Sequence, residues 1–541
     1  MNNKSSLERE HIIDQLSGNE YDLLIIGGGI TGAGIALDAA SRGLKTALIE
    51  KLDFASGTSS RSTKLIHGGL RYLKQLEFVL VAEVGGEREV VYNNAPHLVV
   101  PEKMLLPLVK GGTFGKFSTS IGLWIYDLLA GVKRDERRVM LNKLAALKVE
   151  PLLKKDTLLG AGQYTEYRTD DARLTWGVMS TAIDHGAIAS NYVKADQFIY
   201  ENDKIIGVDC IDELTKNTFQ IKAKQVVNAT GPWVDKVRAR DHTIKGKYLH
   251  LTKGVHIVVS NKKLPIRSSI YFDVSDGRMI FAIPRGGITY IGTTDTTYTG
   301  QLEEPKITND DKKYLIDAVN ATFEGVNLLE EDIISGWCGL RPLIHEEGKS
   351  PSELSRKDEI FVSDNGLISI AGGKLTGYRQ MAKKTVDLVY KILNKEAVEC
   401  KTKHIKIIGG NFSNPGDVSD YIQEVRNQLT NKNILGEEAE YLIRNYGKQT
   451  AIILDLIQTD DNPEESLLKA ELLYCLEYEM IQTPEDFLLR RTGRCNFRPE
   501  SVKKLGLGIV KLMAEKLNWS DLKTTVEMEK WGRPPVPDAL K

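Results

Sequence analysis

Three textures of apolar and polar positions follow one another along the chain. Residues 21–26 (YDLLII) form a short apolar run ended by glycines, which predicts a buried strand. Residues 45–50 (KTALIE) predict a second strand ending in an acid, and AGIALDAASRG between them predicts a short helix punctuated by Gly43. Two later segments, QVVNATGPW (225–233) and LISIAGGK (367–374), repeat the theme of an apolar strand running into a small-residue turn. Residues 208–221 and 255–294 are rich in β-branched side chains, with turn signals SDG at Ser275 and RGG at Arg285, so a second, mostly antiparallel sheet is expected there. From about residue 405 the spacing changes to three and four, as in EEAEYLIRNYG and SVKKLGLGIVKLMAEKL, which predicts amphipathic helices. Thr483-Pro484 supplies an N-cap and a first-turn proline to one of them, and Gly409-Gly410-Asn411 marks the expected junction.

The first of these segments carries the sharpest chemistry. Gly27, Gly29 and Gly32 match G-x-G-x-x-G between a strand and a helix, with Ile30 and Thr31 inside the motif. Gly27 permits the turn, Gly29 lets the backbone approach a pyrophosphate, and Gly32 lets the helix pack on the sheet. The free N–H groups and positive dipole end of the helix suit phosphate. Glu50, 23 residues after Gly27, is placed for an adenosine ribose. A bound dinucleotide follows, the competing reading being a glycine turn without ligand. The further turns at Ala229-Thr230-Gly231 and Gly372-Gly373 favour a large cofactor held by separated segments over NAD on one βαβ unit.

Composition narrows the class without naming the reaction. The 541 residues carry 72 Lys+Arg against 73 Asp+Glu, a net charge of −1, with 41% hydrophobic and 27% charged residues. An ordinary globular protein of several domains fits these values, and no global attraction to nucleic acid exists. The five cysteines lack any C-x-x-C pairing, which disfavours a zinc or redox dithiol site and favours a reducing compartment. No metal-ligand spacing is present. The N-terminus lacks an apolar signal core, and the longest later apolar run, residues 121–132, contains Asp127 and falls short of the ~20 residues of a membrane-spanning helix. Cytoplasmic location is the expectation.

Candidate site residues then fall into groups. SGTSSRSTKLIHGGLRY (56–72) offers hydroxyls and glycines for phosphate at Thr58, Ser59, Ser62 and Gly69, with Lys64, His67, Arg71 and Tyr72 bringing charge and proton-handling groups. A solvated loop is the competing reading. Arg341 in GLRPL, Arg356 in LSRKD and Lys374 in AGGKLTGY form a second cationic set. Arg341 and Lys374 lie among apolar residues and glycines, where a buried cation needs an anionic ligand or an internal partner. His256, in TKGVHIVV, is either a general base or a satisfied core histidine.

These residues carry a resemblance. LLIIGGGITGAGIALDAASRG, GTSSRSTKLIHGGLRYL, DDARL (170–174), VVNATGPW, TKGVHIVV, IGTTDT, GLRPL, AGGKLTGYR and EDFLLRRTG occur in the order of the FAD-dependent glycerol-3-phosphate dehydrogenases, over nearly the whole chain. The resemblance implies an FAD-binding, Rossmann-like α/β domain of the glutathione-reductase or D-amino-acid-oxidase type, an antiparallel substrate sheet and a helical C-terminal cap. It divides the chain into an oxidoreductase region, 1–404, and a cap, 405–541. Within the first, about 20–75, 150–240 and 335–400 are assigned to FAD, and about 76–149 and 241–334 to substrate.

It implies oxidation of sn-glycerol 3-phosphate to dihydroxyacetone phosphate with non-covalent FAD, reoxidised by membrane quinone. Carried over residue by residue, His256 is the base and Arg341 the group beside the reacting oxygen, while Arg71, Tyr72, Arg356 and Lys374 contact substrate. Gly373, Leu375 and Thr376 join the earlier glycines, hydroxyls, Lys64 and His67 around the cofactor. Glycerol-3-phosphate oxidase is the nearest alternative. Its streptococcal members carry a long insertion after GLRPL, whereas here only 14 residues separate Arg341 from Arg356. Peripheral attachment to the inner face of the membrane is implied; residues 121–138 and the basic helices around Arg490-Arg491 are candidate surfaces, with an ordinary domain-packing helix as the favoured reading of each. Oligomeric state stays open, with a homodimer as one option.

Overall fold

The apolar run at residue 21 is the centre of a layered α/β unit. The computed structural model describes residues 2–66, 78–112, 136–241, 247–345, 358–458 and 462–532. Strand Glu20–Ile26 is buried on both faces, and lies parallel between Thr46–Ile49 and Thr218–Asn228. Parallel neighbours Ile188–Ser190 and Ile368–Ala371 extend the sheet on either side. Such double burial explains why YDLLII reads as a continuous rather than an alternating apolar run. Helix Ile30–Ser41 packs against Asp171–Asp184 and Tyr378–Ile392, and Gly34 allows the last contact: a Cβ there would lie 2.8 Å from the Tyr378 ring.

A second sheet, ten-stranded among the described residues, is organised around Leu249–Ser260. That strand lies antiparallel to both Ile288–Gly292 and Ile333–Ile344. Strands Leu158–Arg168 and Ile333–Ile344, expected on the FAD side, belong instead to this sheet. Conversely, 208–221, expected in the second sheet, falls in Lys204–Asp212 and Thr218–Asn228, which pair antiparallel to each other within the FAD-side sheet. Periodicity marks a strand but not its partner, and pairing across hundreds of residues is a tertiary choice.

The C-terminal helices, beginning at Asp417–Asn431 and ending at Asp521–Gly532, bury their own core of Val425, Leu442, Ile453, Leu472, Phe487 and Val510. Arg490 and Arg491, a candidate basic outer surface with domain packing as the favoured alternative, are buried at 5% and 1% exposure, so they pack. They sit in a six-residue π-helical turn, Asp486–Arg491, which directs both guanidinium groups at Asp53 of the first domain. Two adjacent cations look like a surface in sequence because the one carboxylate that both share, Asp53, lies more than 400 positions away.

The junction itself carries a titratable group. His97, 1% exposed, packs against Gly409, Gly410 and Gly447, and its Nδ1 has no hydrogen-bond partner among the described residues. Burial, reinforced by Arg173 and Arg444, pushes it from its ordinary 6.5 down to about 3. The folded chain therefore keeps it neutral while the unfolded chain protonates below 6.5. Stability is untouched above that pH and falls by up to about 1.4 kcal/mol per unit between there and about pH 3. A melting series in that range should show a shallower slope for His97→Leu than for the parent. Identical slopes would exclude His97 as the cause.

Candidate active site

Separated glycine turns meet around one cavity of about 410 Å³. Gly27 turns with φ +114°, and a Cβ on it would lie 2.6 Å from the Ala229 carbonyl oxygen. Gly32 is tighter still: its Cβ would stand 1.9 Å from the Gly27 carbonyl oxygen. Together they let helix Ile30–Ser41 begin directly on the strand end, and Gly29, Ile30 and Thr31 line the cavity. The Ile30 N–H donates to Ser59 Oγ at 3.0 Å, tying the serine-rich loop to the helix start.

Glu50 stands at the end of the second strand. Its Oε2 accepts the Gly28 N–H at 2.7 Å and its Oε1 the Leu52 N–H at 3.0 Å. Those contacts fix the carboxylate and leave acceptor capacity on both oxygens. Burial raises its pKa above the ordinary value. Thr58, Ser59 and Ser62 line the same cavity, as do Ala229, Thr230 and Gly231 and the turn Gly373, Lys374 and Leu375. Thr376 and Gly32 are buried just outside the lining. Also in the lining, Glu303 accepts from Trp233 Nε1 at 2.8 Å and from Lys51 Nζ at 3.1 Å, a clasp that nothing in the sequence announces.

Lys64 departs from expectation. Its ammonium is buried 2.5 Å from Asp171 Oδ1 and donates to the Ser60 carbonyl at 3.2 Å, so it braces the loop instead of lining the cavity. A buried lysine needs a carboxylate, and Asp171 of the DDARL segment supplies it. His67, Gly69, Arg71, Tyr72 and Arg356 lie outside the described residues.

His256 and Arg341 come together on neighbouring strands. Thr252, four residues before His256, pairs with Arg341 across the ladder, and His256 pairs with Trp337. Arg341 folds over Gly254, where a Cβ would meet its Nη2 at 2.5 Å. The guanidinium donates to Thr294 O at 3.1 Å, to Asp295 Oδ1 at 2.9 Å and to Thr293 Oγ1 at 2.9 Å. Of the two ways to satisfy a half-buried cation, an internal ion pair is therefore present. Next to Arg341, Pro342 lines the dinucleotide cavity.

The His256 ring, 1% exposed, stacks on Trp337 with centroids 4.9 Å apart, and its Nε2 lies 3.0 Å from Thr63 Oγ1. Burial, then Arg341, then Lys64 pull its pKa well below 6.5, so the imidazole is neutral. Gly292 makes room for it: a Cβ there would lie 2.1 Å from His256 Cδ2.

Comparison with known proteins decides what this arrangement belongs to. The family described as FAD dependent oxidoreductase matches residues 22–379, and the C-terminal domain of alpha-glycerophosphate oxidase matches residues 400–524. The aerobic glycerol-3-phosphate dehydrogenase of Bacillus subtilis (strain 168) is 51% identical over 526 residues, covering 96% of this chain and 95% of its own. The chain belongs to the FAD-dependent glycerol-3-phosphate dehydrogenases. A relative of the same name in Staphylococcus aureus (strain MRSA252) is 51% identical over 525 residues, 95% of this chain and 94% of its own. The crystal structure of the glycerol-3-phosphate dehydrogenase from Bacillus halodurans, complexed with FAD, superposes with TM-score 0.84 at 43% identity, over 97% of this chain and 96% of that one. The L-alpha-glycerophosphate oxidase of Mycoplasma pneumoniae shares the fold, with TM-score 0.56 at 17% identity.

FAD is the cofactor of this dehydrogenase family, and the cavity fits it. The glycines leave space that a single Cβ would fill, a helix start faces that space, and a half-buried carboxylate stands at the other strand end. Sequence reasoning missed the residues that hold the chemistry in place, namely Thr63, Asp171, Thr293, Asp295 and Trp337. The available signals were the quoted motifs themselves: Thr63 lies in GTSSRSTK, Asp171 in DDARL, and in IGTTDT the glycine clears the imidazole while Thr-Thr-Asp holds the guanidinium.

Proposed function

We propose that the chain oxidises sn-glycerol 3-phosphate to dihydroxyacetone phosphate and passes the electrons through FAD to a membrane quinone, as a peripheral protein on the inner face of the membrane in glycerol catabolism. The observation that carries this reading is a neutral buried imidazole, His256, held beside a guanidinium, Arg341, next to the dinucleotide cavity. When bound, FAD supplies the acceptor for the hydride that leaves C2 of the substrate.

The chain's own part is proton transfer, charge stabilisation and orientation. His256, already unprotonated, accepts the C2 hydroxyl proton. Arg341 is oriented before substrate arrives by Thr293, Thr294 and Asp295, and stabilises the negative charge that develops on the C2 oxygen. Lys374, with Arg71 and Arg356, takes the phosphate and so fixes the position of C2. Burial is the larger cause of the low His256 proton affinity; the substrate dianion opposes only the smaller contribution of the nearby cations. Among the described residues no helix is long and apolar enough to cross a membrane; of the two stretches considered for attachment, residues 121–135 lie outside the described residues and Arg490 and Arg491 are buried.

The test has two steps on the purified holoenzyme. Glycerol 3-phosphate added under argon should bleach the yellow flavin absorbance; unchanged absorbance would reject the substrate. Turnover with a soluble quinone analogue should then exceed peroxide formation in air, and the reverse order would make oxygen the acceptor.

A further inference from the structure

We propose that the helical C-terminal domain sets the affinity for the adenosine half of FAD, with Arg490 and Arg491 as positioning residues that act through Asp53 on the loop carrying Glu50. This rests on Glu50 receiving the adenosine ribose.

The loop after the second strand has two faces. Glu50 at its start and Ser56, Gly57, Thr58 and Ser59 at its end line the dinucleotide cavity. Between them, Ala55 N–H donates to Gly28 O at 3.0 Å and binds the loop to the glycine turn. Asp53, fully buried, points the other way. Its Oδ2 accepts from Arg490 Nε at 2.7 Å and Arg491 Nη1 at 2.8 Å, and its Oδ1 from Arg491 Nη2 and Asn191 Nδ2, each at 3.0 Å. Three of these four donors come from the helical domain.

The adjoining stretch of cavity lining, where the Val193 N–H donates to Glu50 O at 2.8 Å, hangs on the same segment. Val193, Lys194 and Ala195 line the cavity. Just before them, Tyr192 Oη donates to Asp486 at 2.7 Å and Asn191 Nδ2 to the Met480 carbonyl at 2.8 Å. The segment is itself rigidly held. Arg490 also pairs with Asp486 at 2.6 Å and Glu485 at 2.8 Å, and Arg491 donates to the Glu479 carbonyl at 2.9 Å. A buried Asp53 deprived of its guanidinium partners is too costly to keep, so the loop takes its cavity-lining position only while the helical domain is docked. By linkage, ligand that favours that loop position must tighten the docking in return.

The experiment uses the full chain stripped of FAD, with FAD, ADP and FMN as probes; ADP carries the adenosine half and FMN lacks it. In the parent, ADP should slow amide hydrogen exchange in residues 479–491, about as FAD does, and FMN should not. Asp53→Asn and Arg491→Lys should weaken FAD and ADP binding about ten-fold, within the usual range of site coupling, and leave FMN binding unchanged. Exchange in 479–491 that ignores ADP overturns the proposal. So do variants that melt earlier with unaltered ADP affinity, because that is a structural role alone. Glu50→Gln separates the two readings: ADP affinity kept in Glu50→Gln but lost in Asp53→Asn overturns the ribose assignment and leaves the inter-domain joint standing.

Discussion

Arg341→Gln is expected to lower kcat by about 10²–10³-fold while FAD stays bound, the size seen when one preorganised donor to a developing oxyanion is removed. Its guanidinium is oriented by three contacts to residues 293–295. Gln matches part of the volume but carries neither the charge nor the fork, and Asp295 loses its counterion. Lysine should rescue little, since a point charge on a flexible stem cannot reproduce contacts to three neighbouring groups. The split between kinetic parameters decides the role. If Arg341 acts in the transition state, kcat and kcat/KM fall together; if it only grips the phosphate, KM rises with kcat unchanged. Steady-state kinetics at saturating glycerol 3-phosphate, with the flavin absorbance recorded on the same sample, distinguishes these. An unaltered kcat removes the assignment.

Gly32→Ala should prevent retention of FAD altogether. The new Cβ would sit 1.9 Å from the Gly27 carbonyl oxygen and 3.1 Å from its carbonyl carbon, so helix and turn cannot both keep their places. Neither can retreat. Gly27 is backed by the Ala229 carbonyl, and the helix is wedged against Asp171–Asp184 and Tyr378–Ile392. Overpacking of this kind costs about 1–3 kcal/mol in an ordinary core, and here the displaced atoms are those that face the pyrophosphate. The ratio of flavin to protein absorbance after gel filtration, together with the melting temperature, checks it. Gly43→Ala serves as the control, since Gly43 has nothing within 4 Å of its added Cβ although its φ of +92° carries a local strain. A flavin-replete Gly32→Ala protein would disprove the close-packing argument.

Much of the candidate site was legible from short-range pattern. The strand, glycine turn, helix, strand and acid order is written in about thirty consecutive residues, because backbone freedom at glycine and burial of an apolar run are local properties. The cavity accordingly forms where those residues stand, and the turns at Ala229 and Gly373 reach it. The two cation sets are less legible as ligands for an anion, because part of their charge is neutralised within the chain. Lys64 and Arg341 both have carboxylates inside the chain, Asp171 and Asp295, and a cation's partner is invisible until the fold brings it near.

By itself, then, the sequence determined which backbone conformations are allowed and which segments must be buried: the dinucleotide turn, the strands that feed it and the amphipathic helices at the C-terminus. Only the tertiary structure decided which strands share a sheet, that Ile333–Ile344 lies beside Leu249–Ser260 and so brings Arg341 near His256, and that Arg490 and Arg491 face inward to Asp53. The physical reason is range. Steric and hydrophobic periodicity act over a few residues, whereas strand pairing and charge neutralisation act between groups that meet only when the whole core closes.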